Sequence, residues 1–468
     1  MRLFLLLILT LSFLQGNSTE ISGQNKEYAG RKLSFFKYSD PITREKIHVF
    51  SLDMDGAGRF NGSASVEKTT FVFSEFGIYK GNLFLEPEQK IELLLPPLRE
   101  KTFAERKNPY FSPVEFWFAT MEGNQLNDKI SVFDDQLNQL TDMYFNQLYF
   151  RQSKSVFDTI QMKLEKQYPN EISNTFIQHK HVKLKTVEAD AFRLSPSKTA
   201  ATLSQPGIDY WMHPAFVHLF EKTFAGKLSF EANATQNNEI RKALRDENIG
   251  FFIEFIKSNY GVTAPFSDLV LLKMLYDAFY SGDFPQESIL NIISKTHFTS
   301  NRNLLIRETA SNVINKLKSL RKGSKAPVIC LYDINGKKFC TGKESNKYTY
   351  LIFADTEMIV CKEQLKYLTK INEVFERDLD IVVVLLKTDI IEMKKFLIEE
   401  KIPGVHLVDT YSEFIEKYRI KSYPTCYLLN SQLEVVFPET KAPLDGFEQQ
   451  FGTYLQKERF MQQRNQSQ

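Results

Sequence analysis

The chain has 468 residues, 43% hydrophobic and 25% charged, with 59 basic against 57 acidic residues and a net charge of +2. That length suggests about three domains of ~150 residues with ordinary cores. The near balance of charge gives no footprint for nucleic acid or an anionic membrane.

Residues 1–19 read as a secretory signal. Arg2 precedes an apolar run from Leu3 to Leu14, too short for a membrane span, and Gln15-Gly16-Asn17-Ser18 offers small residues for cleavage between Gly16 and Glu20. A lipoprotein signal would need Cys where Asn17 stands. No later stretch is long and apolar enough to span a membrane, so the mature chain is expected to be exported without a span.

Residues 20–107 carry short β-rich runs, among them Leu33–Tyr38, His48–Met54 and Lys90–Pro97, with turn signals such as Asp55-Gly56-Ala57-Gly58. The spacing predicts a small sandwich-like β domain. Residues 108–322 turn helical: Leu126, Ile130, Phe133, Leu137, Leu140, Tyr144 and Leu148 recur at steps of four and three. His179 and His181 are two apart, and His213 and His218 straddle Pro214, so neither pair has metal-ligand spacing. Phosphate-loop, nucleophile-elbow and His-Glu-x-x-His patterns are missing, and neither cofactor nor metal is expected.

From Gly323 to Phe460 the order is hairpin, strand, helix, strand, helix, helix, strand, strand, helix. Tyr350–Phe353 and Ile381–Leu386 are buried-strand runs, Glu434–Phe437 a last strand, and 461–468 a polar tail expected to be disordered. All four cysteines fall here, and an oxidising compartment favours pairing. Cys330 and Cys340 flank Asn335-Gly336. With a loop of Ile334-Asn335-Gly336 they face each other and permit a cross-strand disulfide; with Asn335-Gly336 alone they are offset.

Gly323-x-x-Ala326-Pro327, Asp333-x-x-Gly336-Lys337, the Leu351–Cys361 strand and turn, and Tyr423-Pro424-Thr425 before an apolar strand together set this region apart. In their order and spacing it resembles the TlpA/ResA-like thioredoxins of bacterial envelopes. The whole chain is similar, in outline, to Bacteroidetes-type envelope proteins that place β and helical regions before such a domain. The resemblance implies a multidomain α+β chain: an N-terminal sandwich-like region, a central helical region and a C-terminal α/β thioredoxin fold. It also implies the periplasm or cell envelope as its location.

Against that family's Cys-x-x-Cys the frame reads Met358-Ile359-Val360-Cys361. A thioether cannot become the thiolate that attacks a disulfide. The family's flanking Trp is Glu357, and its buried acid is Ile352. Cys361 remains on an apolar stripe, as an inert buried thiol or as a partner for Cys426. In the family the bond before Pro424 is cis, and the backbone of the preceding residue, here Tyr423, pairs with extended peptides. Three readings stay open: a redox-inactive protein that binds peptide or an envelope protein, a residual thiol-disulfide oxidoreductase using Cys361 with Cys426 or alone, and a structural module whose β and helical regions carry the interaction.

Overall fold

The computed structural model describes residues 18–123, 125–234, 238–342, 346–386, 389–410, 412–437 and 439–466. Most of the expected signal segment lies outside them. The chain forms two compact units, Met1–Leu317 and Lys318–Gln468.

The first unit opens with strands β1 (Ser18–Gln24), β2 (Lys32–Tyr38), β3 (Lys46–Asp53), β4 (Arg59–Ser65), β5 (Thr70–Phe76), β6 (Tyr79–Leu85) and β7 (Lys90–Leu94). Two more, β8 (Val114–Trp117) and β9 (Ala119–Glu122), follow Asn108, where the sequence pattern had turned helical. They form one sheet in the order β4-β1-β7-β9 and another in the order β3-β2-β5-β6-β8. Period-two alternation decides what each face meets. Leu33, Phe35, Val72, Leu83 and Leu85 of the five-stranded sheet share a core with Ile21, Phe60, Ile91 and Leu93 of the four-stranded one. Phe71, Phe73 and Phe84 point the other way, into helices. This accounts for the loss of alternation in β5 and β6: a sheet covered on both faces reads as a continuous apolar run.

The helices on that far face include α1 (Gln125–Met143), whose Leu126, Ile130, Phe133 and Leu137 are buried as the spacing predicts, and α2 (Asn174–Phe192). Further on come α3 (Pro214–Phe224), α4 (Phe266–Ser281) and α5 (Leu304–Lys318). A separate aromatic-rich core surrounds α4.

The second unit starts with a hairpin, β10 (Cys330–Tyr332) and β11 (Lys338–Cys340). Its sheet has the order β14-β13-β12-β15, built from β12 (Tyr348–Ala354), β13 (Leu379–Leu386), β14 (Val405–Asp409) and β15 (Thr425–Leu429). β12, β13 and β14 run parallel, while β15 is antiparallel to β12. Helices α6 (Ile359–Lys366), α7 (Leu368–Phe375), α8 (Ile390–Glu399), α9 (Glu413–Lys417) and α10 (Phe447–Gln466) flank it. Tyr350, Ile352, Val383 and Leu428 face Cys361, Leu365, Ile371, Phe447 and Phe451. Leu351, Phe353, Val382 and Val384 face Ile329, Phe414 and Tyr418. Strand–helix alternation with both faces buried is a thioredoxin-like arrangement.

Two details differ from the sequence pattern. Glu434–Phe437 makes only isolated bridges, because the Val435 amide goes to Ser324 O (2.9 Å) and the Val436 amide to Leu428 O (2.8 Å). The polar end expected to be disordered is helical as far as Gln466. Gln, Glu, Arg and Met are good helix formers, and a helix already nucleated by Phe447 and Phe451 propagates through them.

Candidate functional site

The site lies where β12 gives way to α6. Asp355 is fully buried, and its Oδ1 accepts the Glu357 amide at 2.9 Å, which makes a tight turn. The Met358 amide then donates to Asp355 O at 3.0 Å, and Met358 O accepts from the Lys362 amide at 3.1 Å, starting the helix. Met358 is therefore the N-cap of α6, with extended backbone (φ −91°, ψ 124°) and no side-chain cap. This is the place where unpaired helix amides would stabilise an anion. A thioether occupies it. Ile359 and Val360, the next two residues, are 77% and 58% exposed.

Cys361 points the other way and is fully buried with Leu365, Leu368 and Ile371. The helical stripe is split at Tyr367, yet all four residues stay on the core side. Cys426 enters the same core from β15, 6% exposed. Neither cysteine is in a disulfide. Burial pushes the Cys426 thiol up to about 12, against a smaller lowering by the neighbouring Tyr350 hydroxyl. Tyr350 has one hydroxyl hydrogen, and the carbonyl of Lys441, 2.8 Å away, can only accept. The Tyr350 hydroxyl also lies 3.5 Å from Cys426 Sγ, so its one hydrogen is shared between the sulfur and the Lys441 carbonyl. Ile352 is fully buried and directly opposite Cys426 in the ladder. Glu357 is half-buried beside Met358.

The Tyr423–Pro424 peptide bond is cis. Thr425 Oγ1 donates to Ser422 O (2.6 Å) across the loop, and Thr425 pairs with Phe353. Tyr423 packs on both cores of this unit. Burial holds its hydroxyl well above the usual tyrosine range, with the charges of Asp355, Asp409 and Cys361 adding to the effect. Among the described residues neither the N–H nor the C=O of Tyr423 has a hydrogen-bond partner.

Asp409 escaped the sequence reading. It is 1% exposed and accepts the amides of Glu413 (3.1 Å), Phe414 (2.9 Å) and Ile415 (3.1 Å), capping α9. An acid four residues ahead of Glu413-Phe414-Ile415 was the available signal.

Cys330 and Cys340 lie in a separate hairpin and are joined by a disulfide. They are directly opposed in the ladder. Asp333 settles the register: its amide donates to Lys337 O (2.9 Å), and its Oδ1 accepts from Asn335 N (2.9 Å) and Lys337 N (2.8 Å). The loop is Ile334-Asn335-Gly336, with Gly336 at φ +82°. Among the described residues there is no group of three or more His, Cys, Asp or Glu placed to hold a metal ion, and no helix long and apolar enough to cross a membrane.

No protein-family model and no curated protein matches the chain. Solved structures are similar to part of it. One is the thioredoxin domain of a thiol-disulfide oxidoreductase from Bacteroides vulgatus, 20% identical, covering 28% of this chain and 96% of that one with a TM-score of 0.26. A thiol:disulfide interchange protein from Bacteroides sp. is 22% identical, covering 28% and 89% with a TM-score of 0.26. A thiol-disulfide oxidoreductase from Bacteroides fragilis is 20% identical, covering 24% and 88% with a TM-score of 0.23.

Proposed function

We propose that this chain is an exported thioredoxin-like protein of the bacterial cell envelope that binds extended peptide or protein segments and performs no dithiol chemistry. The binding reading is carried by Tyr423. Its N–H and C=O are unused in a half-buried loop, and an extended chain laid along it could take both. The exposed Ile359 and Val360 would give that chain an apolar neighbour in place of a reactive sulfur.

The oxidoreductase reading needs a thiolate that a substrate disulfide can reach. Cys361 is fully buried, Cys426 is 6% exposed, and Met358 cannot ionise. Two assays on the mature chain test the proposal. With dithiothreitol, insulin should precipitate no faster than without the protein, and an unfolded polypeptide lacking cysteine should bind saturably. Turnover that vanishes in Cys361→Ser would replace the binding reading with the oxidoreductase. Absence of saturable binding would remove the peptide-binding claim.

A further inference from the structure

Neither histidine pair suggested by sequence proximity meets in the fold; the rings that meet are 34 residues apart in the chain. His179 of α2 and His213, the N-cap of α3, are 1% and 3% exposed, with ring centroids 5.1 Å apart. His213 is stacked between Tyr210 (4.3 Å) and Phe84 of β6 (5.0 Å), and Phe84 stacks on Trp117 of β8 (5.6 Å). This column ties the helices to the five-stranded sheet. Asp134 of α1 secures it from the side, accepting from Trp117 Nε1 (3.2 Å) and His179 Nε2 (2.8 Å) and pairing with Lys183 Nζ (3.3 Å).

The hydrogen bonds assign the tautomers. His179 Nε2 carries a hydrogen toward Asp134, so in the neutral ring Nδ1 is bare. His213 Nδ1 accepts the Ala215 amide at 3.1 Å, so its hydrogen is on Nε2. Among the described residues, His179 Nδ1, His213 Nε2 and Tyr210 Oη are buried without a hydrogen-bond partner.

We propose that His179 and His213 form an acid-sensitive clasp between the helices and the sheet of the first unit, closed while both rings are neutral and released when either takes a second proton. On His213 that proton must land on Nδ1, the atom that caps α3, so protonation breaks the cap. On His179 it lands on Nδ1, buried and unpartnered. The charged and titratable groups facing the two rings are Asp134, Lys183 and Tyr210. Both oxygens of the one carboxylate are already engaged, and Lys183 repels a new cation. Burial lowers both histidines, and Asp134 offsets this only in part for His179. Folded-state pKa values below the unfolded ~6.5 mean that the open or unfolded chain binds more protons, so stability is full above ~6.5 and falls as the pH drops. His213, Tyr210 and Phe84 also wall a cleft of ≈ 750 Å³, so release of the clasp would loosen a wall of that cleft.

The test is hydrogen–deuterium exchange on the full mature chain at pH 7.5 and 5.5, corrected for the intrinsic rate. Exchange in 213–220 and 82–85 should be about tenfold faster at pH 5.5 than at pH 7.5 for each histidine that titrates, and up to about a hundredfold faster for the pair. His213→Asn keeps an acceptor for the Ala215 amide without a titrating group and should remove the His213 share of that response, and His179→Gln the other share. Equal exchange at both pH values in the wild type overturns the clasp whatever the variants do. So does a response that persists undiminished in both His213→Asn and His179→Gln.

Discussion

Ile352 of β12 lies directly across the ladder from Cys426 of β15, and both side chains enter the same core. In this pairing an aliphatic side chain stands where a proton acceptor would serve a thiol. The neighbourhood is therefore built to keep sulfur neutral, and the expected behaviour of variants follows from that.

Met358→Cys should restore at most weak insulin reduction. The new thiol would gain the start of α6 but sit beside the half-buried Glu357, whose charge opposes a thiolate. If that charge raises the thiol by one unit, Met358→Cys/Glu357→Gln should be about tenfold faster at neutral pH. Equal rates for the two variants would show that Glu357 does not set the thiolate fraction.

The two core cysteines should resist alkylation. With the Cys426 thiol pushed up to about 12, only about a thousandth would be thiolate at pH 9. Iodoacetamide should modify Cys426 and Cys361 in denaturant but not in the native chain at pH 9. A folded pKa raised above the unfolded value contributes stability at lower pH and loses it as the pH climbs. The second unit should therefore weaken between about pH 9 and about 12. Native labelling at pH 9 with unchanged circular dichroism would contradict this.

Peptide mapping without reductant should return Cys330 and Cys340 in one linked fragment. By loop-closure entropy, a bond with a sequence separation of 10 is worth at most about 2–3 kcal/mol. Reduction should therefore lower the denaturation midpoint of the second unit without unfolding it, since Asp333 still holds the turn.

Asp409→Ala should destabilise the second unit by about 3 kcal/mol, because three amides lose a buried charged acceptor. Peptide binding should fall with it if the helix that Asp409 caps helps to hold the Tyr423 loop, since Phe414 and Tyr423 share a core. Chemical denaturation and the polypeptide-binding assay read the two effects separately.

Export should leave Thr19 on the mature chain. Thr19 is fully buried, pairs with Ala64 and donates its hydroxyl to Glu86 O at 2.5 Å. Within the expected window, cleavage before Thr19 preserves those contacts. Amino-terminal sequencing of the exported pool checks this, and a chain starting at Glu20 or retaining Met1 contradicts it.

What the sequence disclosed depends on how local the cause was. β12 and β13 were legible because strands buried on both faces leave unbroken apolar runs, Tyr350–Phe353 and Ile381–Leu386. The start of α6 was legible because four polar or small residues follow such a run. The hairpin register stayed open between two loops, since the deciding atom is a side-chain oxygen of Asp333 outside the turn dipeptide. β8 and β9 were missed: each has only four residues, and β8 pairs in parallel with β6, a partner that no adjacent turn announces. The meeting of His179 with His213 was invisible for the same reason, because three-dimensional packing alone brings those rings together.

The five-stranded sheet, covered on both faces, limits how this chain can be cut. Phe71, Phe73 and Phe84 belong to the helices' core as much as to the sheet. A fragment ending near residue 107 would present those rings to water and would lack β8 and β9. The complementary fragment would bare the facing stripe of α1. Neither piece is a ready-made module, so strands and helices should melt as one cooperative block and be inherited together, and either half expressed alone should be prone to aggregate.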